Sequence, residues 1–266
     1  MIFYFPGRRF PSLSVTGERC SLRCPHCKGE YLKGMENVDT PEKLYDLAIK
    51  LDDKGHLGFL LSGGCDEAGE VPLEGYYDII KKIKKETSLK INIHTGLPDD
   101  KMVEELSRTN IDVVSYDVIG SREVIKNVYG LDRTPEDYYE GYNKLTDSGF
   151  HTVPHITVGL GGKGVQGEME GVDHVRDAEK IILNSLIPSD YGRSVRTDDF
   201  LLVLDHALEV SEADIVLGCM REKGRANLEI QSIKRGVSGI VNPSLKTRRW
   251  AESRYDIVRK DVCCAL

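Results

Sequence analysis

The chain has 266 residues, 40% of them hydrophobic and 30% charged, enough apolar material for a sizeable core and too much for a disordered chain. A formal net charge of -7 excludes the broad positive field with which nucleic-acid-binding proteins gather phosphates. Residues 1–13 carry Arg8 and Arg9 where a secretory signal needs an apolar run, and no later run is long enough for a membrane span. The expectation is a cytoplasmic protein with neither nucleic acid nor membrane as partner.

In chain order, short β-branched runs alternate with amphipathic stretches. A strand over 12–16 leads into a cysteine-containing loop, and a helix over 40–51 follows, with Thr40 as cap and Pro41 as its first residue. A strand at 58–61 precedes a helix at 76–87, a strand at 90–94 a helix at 102–109, and a strand at 112–117 a helix at 135–147. The second half repeats the pattern with strands at 152–158, 181–186, 214–217 and 239–241, and helices at 169–180, 200–210, 227–234 and 245–253. Eight such units predict an α/β fold of the (β/α)8 TIM-barrel type, with a partial six-strand barrel or a doubly wound sheet as alternatives. One domain over 1–253 is expected, with 254–266 as a C-terminal tail of the same domain. Chemistry in a barrel sits at the C-terminal ends of the strands, where this sequence places Gly63, Gly64, Asp117, Gly159 and Cys219.

Seven cysteines is an odd number, and Cys20, Cys24 and Cys27 fall within eight residues, which fits metal binding in a reducing compartment better than a disulfide framework. Their C-x3-C-x2-C spacing, directly after the first predicted strand, offers three thiolates to a 4Fe-4S cluster and leaves one iron free to bind a small chelating molecule. A zinc site is the alternative, but it needs a fourth ligand, and His26 lies between the last two cysteines, badly placed to supply it.

This loop, with a ring residue (His26) just before its last cysteine, resembles the signature of the radical S-adenosylmethionine (SAM) superfamily, and the resemblance extends over essentially the whole chain. It implies a 4Fe-4S cluster on Cys20, Cys24 and Cys27, and SAM cleaved to a 5′-deoxyadenosyl radical that abstracts hydrogen from substrate. The run Ser62-Gly63-Gly64-Cys65 resembles the family segment that meets the amino group of SAM, with Cys65 standing where glutamate is usual. Asp117 matches the place of ribose-binding residues, although a carboxylate there can equally cap the next helix. Ile156 and Ile187 fall in segments like those that flank the adenine, although apolar strand residues also serve simply as core.

Four cysteines remain, Cys65, Cys219, Cys263 and Cys264, the number that a second, fully ligated cluster requires. Inert buried thiols, a vicinal Cys263–Cys264 disulfide and a prenylated C-terminus are the other readings. The ends Leu-Ser-Gly-Gly-Cys-Asp, Leu-Gly-Cys-Met-Arg and Asp-Val-Cys-Cys-Ala-Leu resemble a largely archaeal group of biotin-synthase homologues. That group includes one component of a two-protein lipoyl synthase. The resemblance implies sulfur insertion into an octanoyl chain on a lipoyl-carrier protein, with a second radical SAM protein and an electron donor as partners. Arg221, two residues after Cys219, is a side chain that supports the ligands from behind, a contact for a substrate carboxylate, or an ordinary solvated residue. His94 and His155, on predicted strands, carry no assigned role.

Overall fold

The computed structural model describes residues 1–162 and 164–266. All eight strands expected from the sequence are present: β2 (Ser12–Ser14), β4 (Gly58–Ser62), β5 (Lys90–His94), β6 (Val113–Asp117), β7 (Thr152–Val158), β8 (Lys180–Ser185), β9 (Asp214–Leu217) and β10 (Gly239–Val241). Three further short strands join them, β1 (Ile2–Tyr4), β3 (Glu36–Asn37) and β11 (Val258–Lys260). These lie outside the predicted strand–helix alternation, and each is defined by the neighbour with which it pairs.

Every ladder is parallel, and the sheet runs β11-β1-β10-β9-β8-β7-β6-β5-β4-β2-β3. The N-terminal β1, not β2, therefore lies beside β10, and the strand order ends at β11 and β3 without a described ladder joining them. The fold is thus a curled, open barrel of the TIM type. Its curvature is evident in the packing, because Tyr4, Val113, Val153, Ile182, Val216 and Val241 from six strands meet in one apolar group with Cys264 and Ala265.

The helices α1 (Pro41–Asp53), α2 (Tyr77–Glu86), α3 (Asp100–Ser107), α5 (Pro135–Asp147), α6 (Gln166–His174), α7 (Thr197–Val210), α8 (Ala226–Arg235) and α9 (Leu245–Glu252) cover the convex face. In α1 the Thr40 side chain accepts from the Lys43 amide and Pro41 opens the first turn, while Leu44, Ala48 and Leu51 form the buried stripe. Helix α6 stops six residues before its predicted end, because residues 175–179 are needed to turn the chain into β8. A short helix, α4 (Arg122–Val124), continues as a π-helical turn over Ile125–Tyr129 and is absent from the sequence reading.

Strand alternation assigns the two faces. Leu13, Phe59, Leu61, Ile91, Ile93, Val114, Tyr116, Ile156, Val158, Ile181 and Leu183 lie on the helix-covered side. The intervening residues face the bore, which is apolar toward the N-terminal ends of the strands. Toward the C-terminal ends it is lined by Asn92, His94, Ser115, Asp117, His155 and Asn184.

The C-terminal tail is the other occupant of the bore. Strand β11 pairs with β1, after which the chain turns inward so that the Lys180 ammonium, at the start of β8, donates to the carbonyls of Cys264 (3.0 Å) and Leu266 (3.2 Å). No helix is long and apolar enough to cross a membrane among the described residues.

Candidate functional site

The loop that follows β2 is pinned to the end of β4. The Gly64 amide donates to Thr16 Oγ1 (2.8 Å), and the Ser21 amide donates to the Cys65 carbonyl (2.8 Å). Gly64 permits this approach: a Cβ there would lie 2.5 Å from Cys20 Cβ and closer still to the Arg19 carbonyl oxygen. Within the loop the Cys24 carbonyl accepts from the amides of Cys27 (3.0 Å) and Lys28 (2.7 Å), and Arg23 and Lys28 take left-handed backbone angles to turn the chain.

All three loop cysteines are free thiols. A hydrogen bond between Cys24 and Cys27 raises the first and brings the second down to about 6, so the loop readily presents a thiolate at neutral pH. Among the described residues these thiols do not converge with a fourth cysteine, histidine or carboxylate at the short spacing of a mononuclear zinc site. Nor does His26 supply one, because its ring packs edgewise between Tyr129 (5.6 Å) and Tyr191 (6.3 Å). A glycine cradle and three thiols from one short loop suit a cluster with one iron left open, and Cys20, Cys24 and Cys27 would hold it.

Beside this loop, His94 and Asp117 project from the C-terminal ends of β5 and β6 and His155 from the middle of β7, with ligand atoms all within 4.8 Å of one another. His94 Nε2 stands 3.3 Å from Asp117 Oδ2. Burial works to raise the Asp117 carboxyl, but His94, His155 and His26 together hold it below its ordinary value. Burial also works to lower His94, and Asp117 more than reverses it; His155, with less help, is lowered by burial to about 4. Asp117 does not cap the next helix, because the Ser121 side chain accepts from the Val124 amide and does that work. Of the two readings of Asp117, a polar contact at the mouth is the one its position allows.

The four remaining cysteines do not come together as one set. Cys65 lies beside the loop, where burial and the neighbouring Cys20 push its thiol up to about 12. Strand β4 is five places from β9 in the sheet, and the thiols that act on Cys65 are those of Cys20 and Cys27, not those of β9 or the tail. This corrects the expected grouping of Cys65 with Cys219, Cys263 and Cys264. Those three lie near enough to influence one another: Cys219 follows β9 by two residues, and its thiol is raised by the protein around it and by Cys263, although its residue is exposed. Cys263 Sγ accepts from Asn92 Nδ2 (3.3 Å). It is brought down to about 7, mainly by a hydrogen bond from Cys264, which is itself raised. The pair carries no vicinal disulfide, and its position inside the bore is at odds with a presented prenylation signal.

Ile156 takes the core reading and Arg221 a structural one. Ile156 points to the helix-covered face, because alternation along β7 turns His155 and Thr157 inward. Its side chain lines a small cleft with Val118, Gly120 and Leu160 instead of the bore, while Ile187 is half-buried just after β8. Arg221 is buried, its guanidinium donating to the carbonyls of Gly218, Val241 and Asn242 and to Glu229 Oε1 (3.0 Å). It clips the ends of β9 and β10 to α8 and has no charge left for a substrate.

With this geometry in place, the family model for the radical SAM superfamily matches residues 14–170, more than half of the chain. The chain belongs to the radical SAM superfamily. Its structure is similar to that of HydG, a maturase of the [FeFe]-hydrogenase, with 14% identity and a TM-score of 0.64, covering 91% of this chain and 56% of that one. It is also similar to methylornithine synthase (11% identity, TM-score 0.63, 97% and 78% covered) and to Streptococcus suis SuiB bound to S-adenosylmethionine (12%, 0.57, 94% and 49%). The chain thus spans a little over half the length of the maturase. No functionally curated protein matches it in sequence.

As a radical SAM protein the chain uses a 4Fe-4S cluster and SAM, and Cys20, Cys24 and Cys27 are the residues with which it would hold the cluster. Sequence reasoning left two parts of this mouth unused. Thr16, which fixes the Gly64 amide, carries no motif signal. Glu168, accepting from the Gly159 amide (2.8 Å) to close the turn after β7, is nine residues away and legible only in three dimensions.

Proposed function

We propose that this radical SAM protein inserts sulfur into an unactivated C–H bond, in lipoyl formation on an octanoyl chain carried by a protein. A second radical SAM protein and an electron donor are its proposed partners. Such a carbon offers no electrophile to a thiolate, so a carbon radical must be made first and sulfide held within reach of it. With the cluster and SAM bound, the site supplies a 5′-deoxyadenosyl radical. The backbone carbonyls of the Gly63-Gly64 turn would accept from the amino group of SAM, and Asp117 would accept from its ribose hydroxyls. Cys65, beside the loop, packs the wall of this pocket.

The observation that carries the reading is the second set of thiols, Cys219 just past β9 and Cys263 and Cys264 on the tail that enters the same bore. These three would hold the sulfide-bearing cluster, Asn92 steadies Cys263, and Lys180 anchors the tail that presents it. A second reading, radical chemistry with another outcome such as rearrangement or cofactor maturation, draws on Cys264, which packs among Tyr4, Val113 and Ile182 as an apolar residue would.

Iron and acid-labile sulfide per chain after anaerobic reconstitution separate the two. Sulfur insertion expects about eight irons, falling to about four when Cys20, Cys24 and Cys27 are replaced by alanine, and to about four when Cys219, Cys263 and Cys264 are replaced. About four irons, lost entirely with the first set and untouched by the second, would remove the sulfur source and leave the second reading. Mass analysis of an octanoylated peptide incubated with the loaded protein then reads whether sulfur is added.

A further inference from the structure

The mouth contains one more arrangement of donors that neither the loop cluster nor the tail thiols use. Strands β5, β6 and β7 are adjacent, with His94 paired to Ser115 and Asp117 to His155 in the ladders, so hydrogen-bonded backbone sets the spacing of three inward side chains. Two imidazoles and one carboxylate present ligand atoms within 4.8 Å of one another. His155 Nε2 is buried and has no hydrogen-bond partner among the described residues. A buried ring nitrogen left in this way is uncommon, and it calls for a partner that protein atoms do not supply here. The site is nonetheless reachable, since the side chains of His94 and Asp117 are 24% and 37% exposed on the bore.

We propose that His94, Asp117 and His155 form a mononuclear site for a borderline divalent metal, zinc or ferrous iron being the chemical class that two imidazoles and a carboxylate suit. Three protein ligands leave at least one coordination position open, the arrangement of a reactive or substrate-binding metal and not of a structural one. That position faces the bore, where an oxygen or nitrogen donor of the substrate would occupy it. An ion pair between His94 and Asp117 accounts for those two residues but leaves His155 unexplained. One metal accounts for all three. The second carboxylate oxygen of Asp117 stays available to the SAM ribose, so both uses of this residue are compatible.

The site is independent of the sulfur-insertion reading, and the test keeps the two apart. Zinc chloride is added to the full chain after anaerobic reconstitution of its clusters, and in parallel to the Cys219→Ala/Cys263→Ala/Cys264→Ala variant, which cannot use tail thiols. Both should retain about one zinc per chain after desalting, with X-ray absorption showing only nitrogen and oxygen neighbours at about 2.0–2.2 Å in the tail variant. His94→Ala and His155→Ala should each weaken zinc binding by more than about 100-fold, with iron content and thermal midpoint unchanged to show that the variants fold and load. His155→Cys should restore binding with one sulfur neighbour at about 2.3 Å. Absence of zinc binding in the tail variant, sulfur neighbours in that variant, or binding indifferent to both histidine replacements would each overturn the proposal.

Discussion

The two thiol groups of this radical SAM protein lie on different walls of one bore and are built in opposite ways. Cys20, Cys24 and Cys27 come from eight consecutive residues, held by local turns and by the Gly63-Gly64 end of β4. Cys219, Cys263 and Cys264 come from a strand end and from a tail that must pair with β1 and fold back before its thiols reach the same space. A local site tolerates disturbance elsewhere in the fold, whereas an assembled one depends on every contact that brings its pieces together. The difference can be tested by perturbing one wall at a time.

The largest effect is expected from Gly64→Val. Its side chain would enter the space of Arg19 and Cys20, and beyond the ~1–3 kcal/mol typical of overpacking it should displace the loop and abolish loop-bound iron. Iron analysis and electron paramagnetic resonance after reconstitution would read the loss, while alkylation of Cys219 should proceed as in the parent. Normal loop iron in this variant would break the picture of a tightly cradled local site.

Arg221→Ala comes next. The Arg221 and Glu229 side chains are only 6% and 2% exposed, and removing the cation strands a buried carboxylate, at a cost of ~3–5 kcal/mol. Urea unfolding would measure it. Because Arg221 ties down the end of β9, Cys219 should also become more reactive to alkylating reagents, with loop iron retained in the folded fraction.

Truncation after Asp261 removes Cys264 and Ala265 from the apolar floor and the acceptors of Lys180, and should cost ~2–4 kcal/mol, near the scale of a large-to-small core substitution. Loop iron should survive this truncation. Its loss would show that the two walls are coupled after all.

The smallest effect concerns the closed end of the barrel, which both walls share. Burial works to raise the Asp112 carboxyl, but hydrogen bonds from Lys84, Lys90 and the Ile91 amide hold it below its ordinary value. A depressed carboxyl stabilises the fold fully above its unfolded pKa, and that contribution fades as pH falls through the folded value. The Lys84 and Asp112 side chains are each 13% exposed, so Asp112→Asn should cost about 1 kcal/mol near pH 7 and progressively less in acid, as read by unfolding at several pH values. Both thiol groups should be unaffected.

Much of the barrel was legible in advance. The eight strands and the cap and proline of α1 follow from apolar β-branched runs alternating with helical stretches and from end signals, and these survived folding with small shifts. β1, β3 and β11 fall outside the strand–helix alternation by which the equally short β10 is read, and only pairing with a neighbour defines them. Ile156 takes the core place that apolar strand residues commonly hold, and its face was not legible because the phase of a buried strand cannot be read when both of its faces are apolar or mixed.

By itself, then, the sequence determined the parts of the protein whose physics is local: the alternation of strands and helices, the cysteine loop and the glycines that let it close on β4. Tertiary structure alone decided that Cys65 stands with the loop and not with Cys219, that Arg221 is a buried clip, that the tail occupies the bore, and that His94, Asp117 and His155 face one another. Each of these depends on which strands are neighbours and which way they face. A parallel sheet brings together residues tens of positions apart, and spacing along the chain holds no record of that order.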